Sequence, residues 1–165
     1  MIWNMENIKA ALYEAEGKGA RKLIKELASS CEDFALAQEV FPEECMDLIV
    51  EILSEERLFT KSGIDVFLLK TSTDMYRLSE GQKARLLKAI FENYSRYADI
   101  DMCWLLGDLI ARSYDRLTVL STFRSLFSTA TNQGKEGIAL GLDVLARQSM
   151  QDAPLMKEID EILHL

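Results

Sequence analysis

Apolar residues recur three and four apart through almost the whole chain, and no segment alternates singly between apolar and polar with turns at both ends. That spacing fits the 3.6-residue turn of a helix and not the two-residue repeat of a pleated strand. Such a chain can bury its apolar stripes only by packing helix on helix, so the expected fold class is all-α, with essentially no sheet. Its 165 residues fit one domain, expected to span 1–165. At that length folding buries roughly 70% of the unfolded surface.

The punctuation divides the chain into a series of helices. Asn4 can cap a first helix to about Glu16, with Ile8, Ala11, Leu12 and Ala15 inward, and Gly17 and Gly19 break it. A helix over 18–30 buries Ala20, Leu23, Ile24 and Leu27, and a short one over 33–41 has Phe34, Ala37, Val40 and Phe41 as its apolar positions. Pro42 opens the next, expected to reach about Phe59, with Cys45, Leu48, Ile49, Ile52 and Leu53 on its buried side. After the Ser62-Gly63 turn comes a helix over 64–77. Ser79-Glu80-Gly81-Gln82 has the form of a capping box and opens a helix to Tyr97, burying Leu86, Leu87, Ile90, Phe91 and Tyr94. Asp99 or Asp101 caps a helix ending near Tyr114, and Asp115 caps one reaching Ala130. Asn132-Gln133-Gly134 is expected as a turn before a helix ending near Ser149. Asp152-Ala153-Pro154 opens the last, with Leu155, Ile159, Ile162 and Leu163 inward. Trp3 precedes the first helix, and Trp104 is expected in the core.

The last three helix pairs, 64–77 with 79–97, 101–114 with 116–130 and 135–149 with 154–164, carry a weak internal repeat. Phe67-Leu68-Leu69 is echoed by Trp104-Leu105-Leu106, 37 residues on, and Leu106-Gly107 with Ala111-Arg112 by Leu140-Gly141 with Ala146-Arg147. Helix pairs at that period suggest a stacked α-solenoid. Leu106-Gly107-Asp108-Leu109 and Leu140-Gly141-Leu142-Asp143 resemble the first-helix element of HEAT-type repeats. The resemblance covers residues 64–164 and implies a short right-handed solenoid of helical hairpins, the alternative being an irregular helical bundle. In either arrangement each glycine lets a neighbouring helix approach closely.

Charge is unevenly placed. The net charge is −8; residues 1–60 carry 13 acids and 6 bases, and residues 61–165 carry 14 acids and 13 bases. An acidic N-terminal third disfavours nucleic acid and anionic membrane and would steer a basic partner. Within it Glu43, Asp47, Glu51 and Glu55 stand four apart on the helix after Pro42 and form one file. Like charges at that spacing cost about 0.2–0.5 kcal/mol per pair. Glu43 is excused by the helix N-terminus, but Glu51 and Glu55 lie beyond its reach. The file either awaits a positive partner or is paired within the molecule by a basic file, Lys18, Arg21, Lys22 and Lys25. A second candidate surface is the hydroxyl arc of the 116–130 helix, with Thr118, Ser121, Thr122, Ser125, Ser128 and Thr129, a flat face suited to a partner or to a second copy.

Chemistry is poorly supplied. The only histidine, His164, is one residue from the end, a poor place to hold a base in register. Cys31, Cys45 and Cys103 are odd in number, form no C-x-x-C and suit small buried residues of a reduced, cytosolic protein. No zinc set, phosphate loop or nucleophile elbow is present. The file on the acidic helix has no Ca²⁺-loop pattern. Neither a signal peptide nor a membrane span is recognisable, and no cofactor, metal or catalytic residue is expected.

The chain is similar in class to bacterial immunity proteins of polymorphic-toxin systems, in its size, its acidity and its repeat architecture. That resemblance implies a non-catalytic cytoplasmic protein that neutralises a cognate toxin, commonly a nuclease with a basic face. Glu43, Asp47, Glu51 and Glu55 would supply complementary charge and fast association. Thr118, Thr122 and Ser125 mark the second surface, on which the alternative function is expected, a self-associating structural or adaptor/chaperone subunit such as a homodimer.

Overall fold

Five of the described helices begin where a side chain satisfies the free end of the backbone. The computed structural model describes residues 5–38, 40–149 and 152–165, and among these every side chain except those of residues 5, 6 and 31–38. The described helices are α1 (Met5–Glu14), α2 (Gly17–Gln38), α3 (Glu43–Ser54), α4 (Glu56–Phe59), α5 (Ile64–Asp74), α6 (Glu80–Asn93), α7 (Ile100–Ser113), α8 (Arg116–Phe127), α9 (Asn132–Gln148) and α10 (Ala153–Leu163). Single 3-10 turns, Met75–Arg77 and Tyr94–Arg96, close α5 and α6. No strand occurs among the described residues, so the fold is all-α, as the periodicity indicates. Trp3, Asn4 and Glu39, and the side chains of Cys31, Phe34 and Ala37, lie outside the described residues.

The caps follow the sequence closely. The Ser79 N–H donates to Gln82 Oε1 at 3.0 Å, and the Gln82 N–H donates to Ser79 Oγ at 3.1 Å, a reciprocal capping box. Asp99, not Asp101, caps α7, accepting from the Met102 N–H. Asp115 and Asp152 cap α8 and α10 in the same way. These caps hold both carboxyls below the ordinary range, through Thr118 at Asp115 and through the Arg116 guanidinium and the Leu155 N–H at Asp152.

Three boundaries differ from expectation. α2 runs unbroken through the gap placed at 31–32, so the second and third expected helices are one. α3 stops at Ser54 because Glu55 is extended (φ −103°, ψ 116°), and the chain restarts as the one-turn α4, burying Leu58 and Phe59. Residues 132–134 are no turn. Thr131 caps α9 by accepting from the Gly134 N–H, and α9 begins three residues early.

The chain forms two compact units, residues 1–90 and 91–165, with the boundary inside α6. In the first unit α2 packs on α5, and α3 lies with α4. The core collects Leu12, Ala20, Ile24 and Leu27 with Leu48, Ile49, Ile52, Leu53 and Phe67. Ala11 is exposed. Val40 and Leu69 are also exposed. At the start of α5, Gly63 has φ +102° and lies against the Arg21 backbone, where a Cβ would come within 3.0 Å of Arg21 Cα; both constraints require glycine.

The second unit is built on α7 and α9, whose backbones touch. A Cβ on Gly107 would run into the Gly137 carbonyl, and one on Gly137 would run into the Cys103 carbonyl. A Cβ on Gly141 would lie 2.7 Å from Gly107 O and 2.6 Å from Phe123 Cζ. Residues 103 and 107 thus face 137 and 141 in increasing order, so the two helices run parallel. Helices α8 and α10 form a second parallel pair, with Arg116 on Asp152 at 2.5 Å and Arg124 near Glu161 at 3.9 Å. The first helices of the last two hairpins therefore lie side by side, as do the second helices.

One buried and one half-buried hydroxyl tie the entrance of α9 to the turn that follows α6. Tyr94 Oη donates to the Gly134 carbonyl at 2.6 Å, and Thr131 Oγ1 donates to the Tyr97 carbonyl at 2.6 Å. Tyr94 and Tyr97 are fully buried, 6.0 Å apart edge to face, and burial pushes both phenols far up. Burial also pushes the Cys103 thiol up to about 11, so this cysteine packs as a neutral apolar group. Phe91 and Leu163, expected inward, are 45% and 38% exposed.

Gly107→Ala should cost about 3 kcal/mol or more, because the added methyl meets backbone that cannot move without separating α7 from α9. Gly81→Ala, whose Cβ would meet only Ser79 Oγ at 3.9 Å, should change stability by less than about 0.5 kcal/mol. Urea unfolding followed by circular dichroism measures both; equal effects would remove the close contact from the account.

Candidate functional site

Three of the four carboxylates in the acidic file are held by groups of the same unit. Arg85, on α6, donates from Nη1 to Glu43 at 3.1 Å and from Nη2 to Asp47 at 2.7 Å. Gln82 Nε2, one turn earlier, donates to Glu43 Oε1 at 2.8 Å and to the Phe41 carbonyl at 2.8 Å. Glu51 accepts from Tyr13 Oη at 2.7 Å and lies 3.5 Å from Lys9 Nζ, both on α1. The file therefore fastens α3 to α6 at one end and to α1 at the other. The expected internal partner, the α2 basic file, is not involved: Arg21 reaches Asp65 at 3.7 Å. Glu55 stands off the helix, because the chain turns extended there.

These ties leave the carboxylates on the surface. Side-chain exposure is 67% at Glu43, 54% at Asp47 and 32% at Glu51. Glu44 and Glu55 are exposed beside them. One guanidinium holding two carboxylates leaves a net negative charge in a fixed geometry. Tyr13 reports the same field. Burial, the hydrogen bond to Glu51 and the charges of Glu51 and Glu55 push its phenol up to about 12, against the opposing Arg57 guanidinium, 5.2 Å over its ring.

The hydroxyl arc of α8 is less uniform than its spacing suggests. Thr118 spends both its N–H and its hydroxyl on the Asp115 cap, at 3.0 and 2.7 Å. Thr122 is only 6% exposed, so it lies in the core and cannot meet a partner; one helical step carries it from the arc onto the side occupied by Val119 and Phe123. Ser121, Ser125 and Ser128 are exposed with Arg124 between them, and Leu117 at the helix start is 79% exposed. What survives of this surface is a strip of serines, with Thr129 exposed just past the helix end.

A feature missed in the sequence lies on the outer side of α7 and α9. Trp104 follows Cys103, and Leu140 precedes Gly141. In two parallel helices facing each other at 103:137 and 107:141, these steps carry both residues to the same side of the contact. The opposite side holds Met102, Leu106 and Ile110 of α7 with Ile138, Leu142 and Leu145 of α9, all buried. Trp104 and Leu140 are 43% and 37% exposed, which overturns the expectation that Trp104 is core. Glu136 and Asp108 join them on that side, with Asp108 held by Arg112 at 2.7 Å. Asp143 and Arg147 repeat that i,i+4 pair on α9 at 3.0 Å. The signal was present in the sequence: the glycine register fixes which side each tryptophan step takes, but the register itself needs the contact of two helices.

Among the described residues, no group of three His, Cys, Asp or Glu side chains is placed to hold a metal ion. No described helix is long and apolar enough to cross a membrane. His164 is exposed, with Nδ1 at 2.7 Å from the Asp160 carbonyl. No protein family, curated protein or solved structure matches this chain.

Arg85→Ala should cost about 0.5–1.5 kcal/mol, since it removes two partly exposed ion pairs that fasten α6 to α3. Glu55→Lys, outside those ties, should change stability by less than about 0.5 kcal/mol. Thermal unfolding distinguishes them. An Arg85→Ala protein as stable as the parent would mean that the acidic file is not fastened internally.

Proposed function

We propose that this chain is a non-catalytic protein-binding module built on a HEAT-like solenoid, and that it serves as a cytoplasmic immunity protein, covering the basic surface of a cognate bacterial toxin domain. A nuclease toxin fits the charge best. The observation that carries this reading is the outer side of the α7–α9 pair. It presents a tryptophan and a leucine, each more than a third exposed, on helices whose relative position is fixed by backbone contact. Large apolar anchors on a rigid base, rimmed by charged groups, are what concentrates affinity at protein interfaces. Glu136 and the ion pairs of Asp108 and Asp143 form the rim.

Acidity supports the choice of a basic partner. Glu43 and Asp47 are held half-exposed by Arg85, so they meet an incoming cation without first being ordered. Glu44 and Glu55 add negative charge outside the internal ties. Charge of this kind raises the association rate and selects among partners, while the apolar anchors set the dissociation rate.

The test is affinity capture from the producing cell, followed by binding measurements with the captured protein. The expected partner is basic, is retained less well at high salt, and has an enzymatic activity that the bait suppresses. Trp104→Ala should weaken binding by about 30-fold, the effect of a 2 kcal/mol hot spot. It should leave the fold intact. Recovery of the bait alone, at a size above the monomer, would instead favour a self-associating adaptor.

A further inference from the structure

We infer that the first two turns of α2, with the cavity beside them, form a second docking surface that takes an acidic segment of a partner protein. It lies in the first unit, whereas the α7–α9 anchors belong to the second, and it stands whether or not the immunity reading holds.

Lys18, Arg21, Lys22 and Lys25 are all exposed. They occupy one file about 10 Å long. Arg21 has only a loose contact with the half-exposed Asp65. Lys18, Lys22 and Lys25 have no ion pair among the described residues. In the same unit the acids of α3 are fastened by Arg85, Lys9 and Tyr13, so the acidic and basic files do not neutralise each other. The first turn of α2 holds no acid, a Cβ at Gly19 would meet nothing within 4 Å, and among the described residues the start of α5 reaches the file at Arg21, through Gly63.

The cavity, about 320 Å³, adjoins the start of α2 at Gly17 and carries Arg57, Lys61, Tyr13, Thr60, Ser62 and Glu16 on its wall. Lys61 is committed, donating to the Tyr13 and Ala15 carbonyls at 3.2 and 2.6 Å. Arg57 lies over the Tyr13 ring, and among the described residues no ion pair holds it. A carboxylate entering here meets the Arg57 guanidinium and the Ser62 hydroxyl, while the Lys18–Lys25 file receives the acids that flank it. Glu16 opposes entry and, being exposed, can turn to solvent.

The charge balance selects a short acidic segment over a long polyanion. Residues 1–90 carry 16 acids and 12 bases, and the whole chain carries −8. A nucleic acid or anionic bilayer extends well past the Debye length of about 8 Å and meets that excess negative charge. A short peptide meets chiefly the local cations, against Glu16 on the cavity wall and the charges of Glu51 and Glu55 felt at Tyr13.

The probe is a fluorescent tetraglutamate peptide, about as long as the basic file, titrated with the full chain and followed by anisotropy at low and high salt. Binding at low salt is expected. It should fall at least ~10-fold in Lys18→Glu/Lys22→Glu/Lys25→Glu, and several-fold in Arg57→Ala, as expected for loss of local steering charge. Lys157→Glu on α10 should leave it unchanged. The triple Lys→Gln variant, which adds no repulsion, gives the same readout should charge reversal disturb folding. Failure of the parent protein to bind, equal weakening by Lys157→Glu, or tighter binding of a single-stranded oligonucleotide or of phosphatidylserine vesicles than of the peptide would overturn the inference. None of these results bears on Trp104.

Discussion

The second unit depends on one contact, the meeting of the α7 and α9 backbones at Gly107, Gly137 and Gly141. Each glycine in a helix interior costs about 0.5–1 kcal/mol relative to alanine. Three of them on one interface are stable only if the approach they permit returns more. Removing the Cβ layer brings two helices into direct backbone contact, where Cα–H groups meet carbonyl oxygens and dispersion is gained along both surfaces. The Tyr94 hydroxyl on the Gly134 carbonyl and the Thr131 cap then fix where α9 begins. The parallel register and the sides of both helices follow from that start.

That register sorts the side chains. One side of the pair becomes core through Met102, Leu106, Ile138 and Leu142, and the other carries Trp104 and Leu140 toward solvent. The first unit works by different means. Its apolar core is conventional, but the placement of α3 is reinforced by polar ties from α6 and α1 to an acidic file. An acidic surface and a fastened helix are therefore the same feature. The repulsion among Glu43, Asp47 and Glu51 is relieved by Arg85 and Lys9, and Glu55 leaves the file where the helix ends.

Periodicity sufficed for the helices and most of the buried positions, because 3.6-residue spacing is local. Caps were equally legible at Ser79, Asp115 and Asp152, since a cap and its partner lie three residues apart. What failed was non-local. The partner of the acidic file was sought in the nearest basic file of the sequence, whereas Arg85 comes from a helix some 40 residues on. Thr122 read as a surface hydroxyl because helical angle alone does not say how wide the buried side is. Trp104 read as core because its size suggests burial, and only the α7–α9 register says otherwise. The Leu-Gly repeats were noticed as a pattern, and close approach was inferred for each glycine. That Gly107 lies against both Gly137 and Gly141 requires the fold.

The most direct measurement of this arrangement uses the tryptophan as a quencher. Leu140→Cys, made with Cys31 replaced by serine and labelled with bimane, places a fluorophore across the helix contact from Trp104; the two remaining cysteines are buried. Strong quenching, relieved by Trp104→Phe, is the expected result, because both side chains stand on one side of a parallel glycine contact. Bright emission that Trp104→Phe does not change would place the two residues on different sides. Neither the register of α7 against α9 nor the binding surface built on it would then stand.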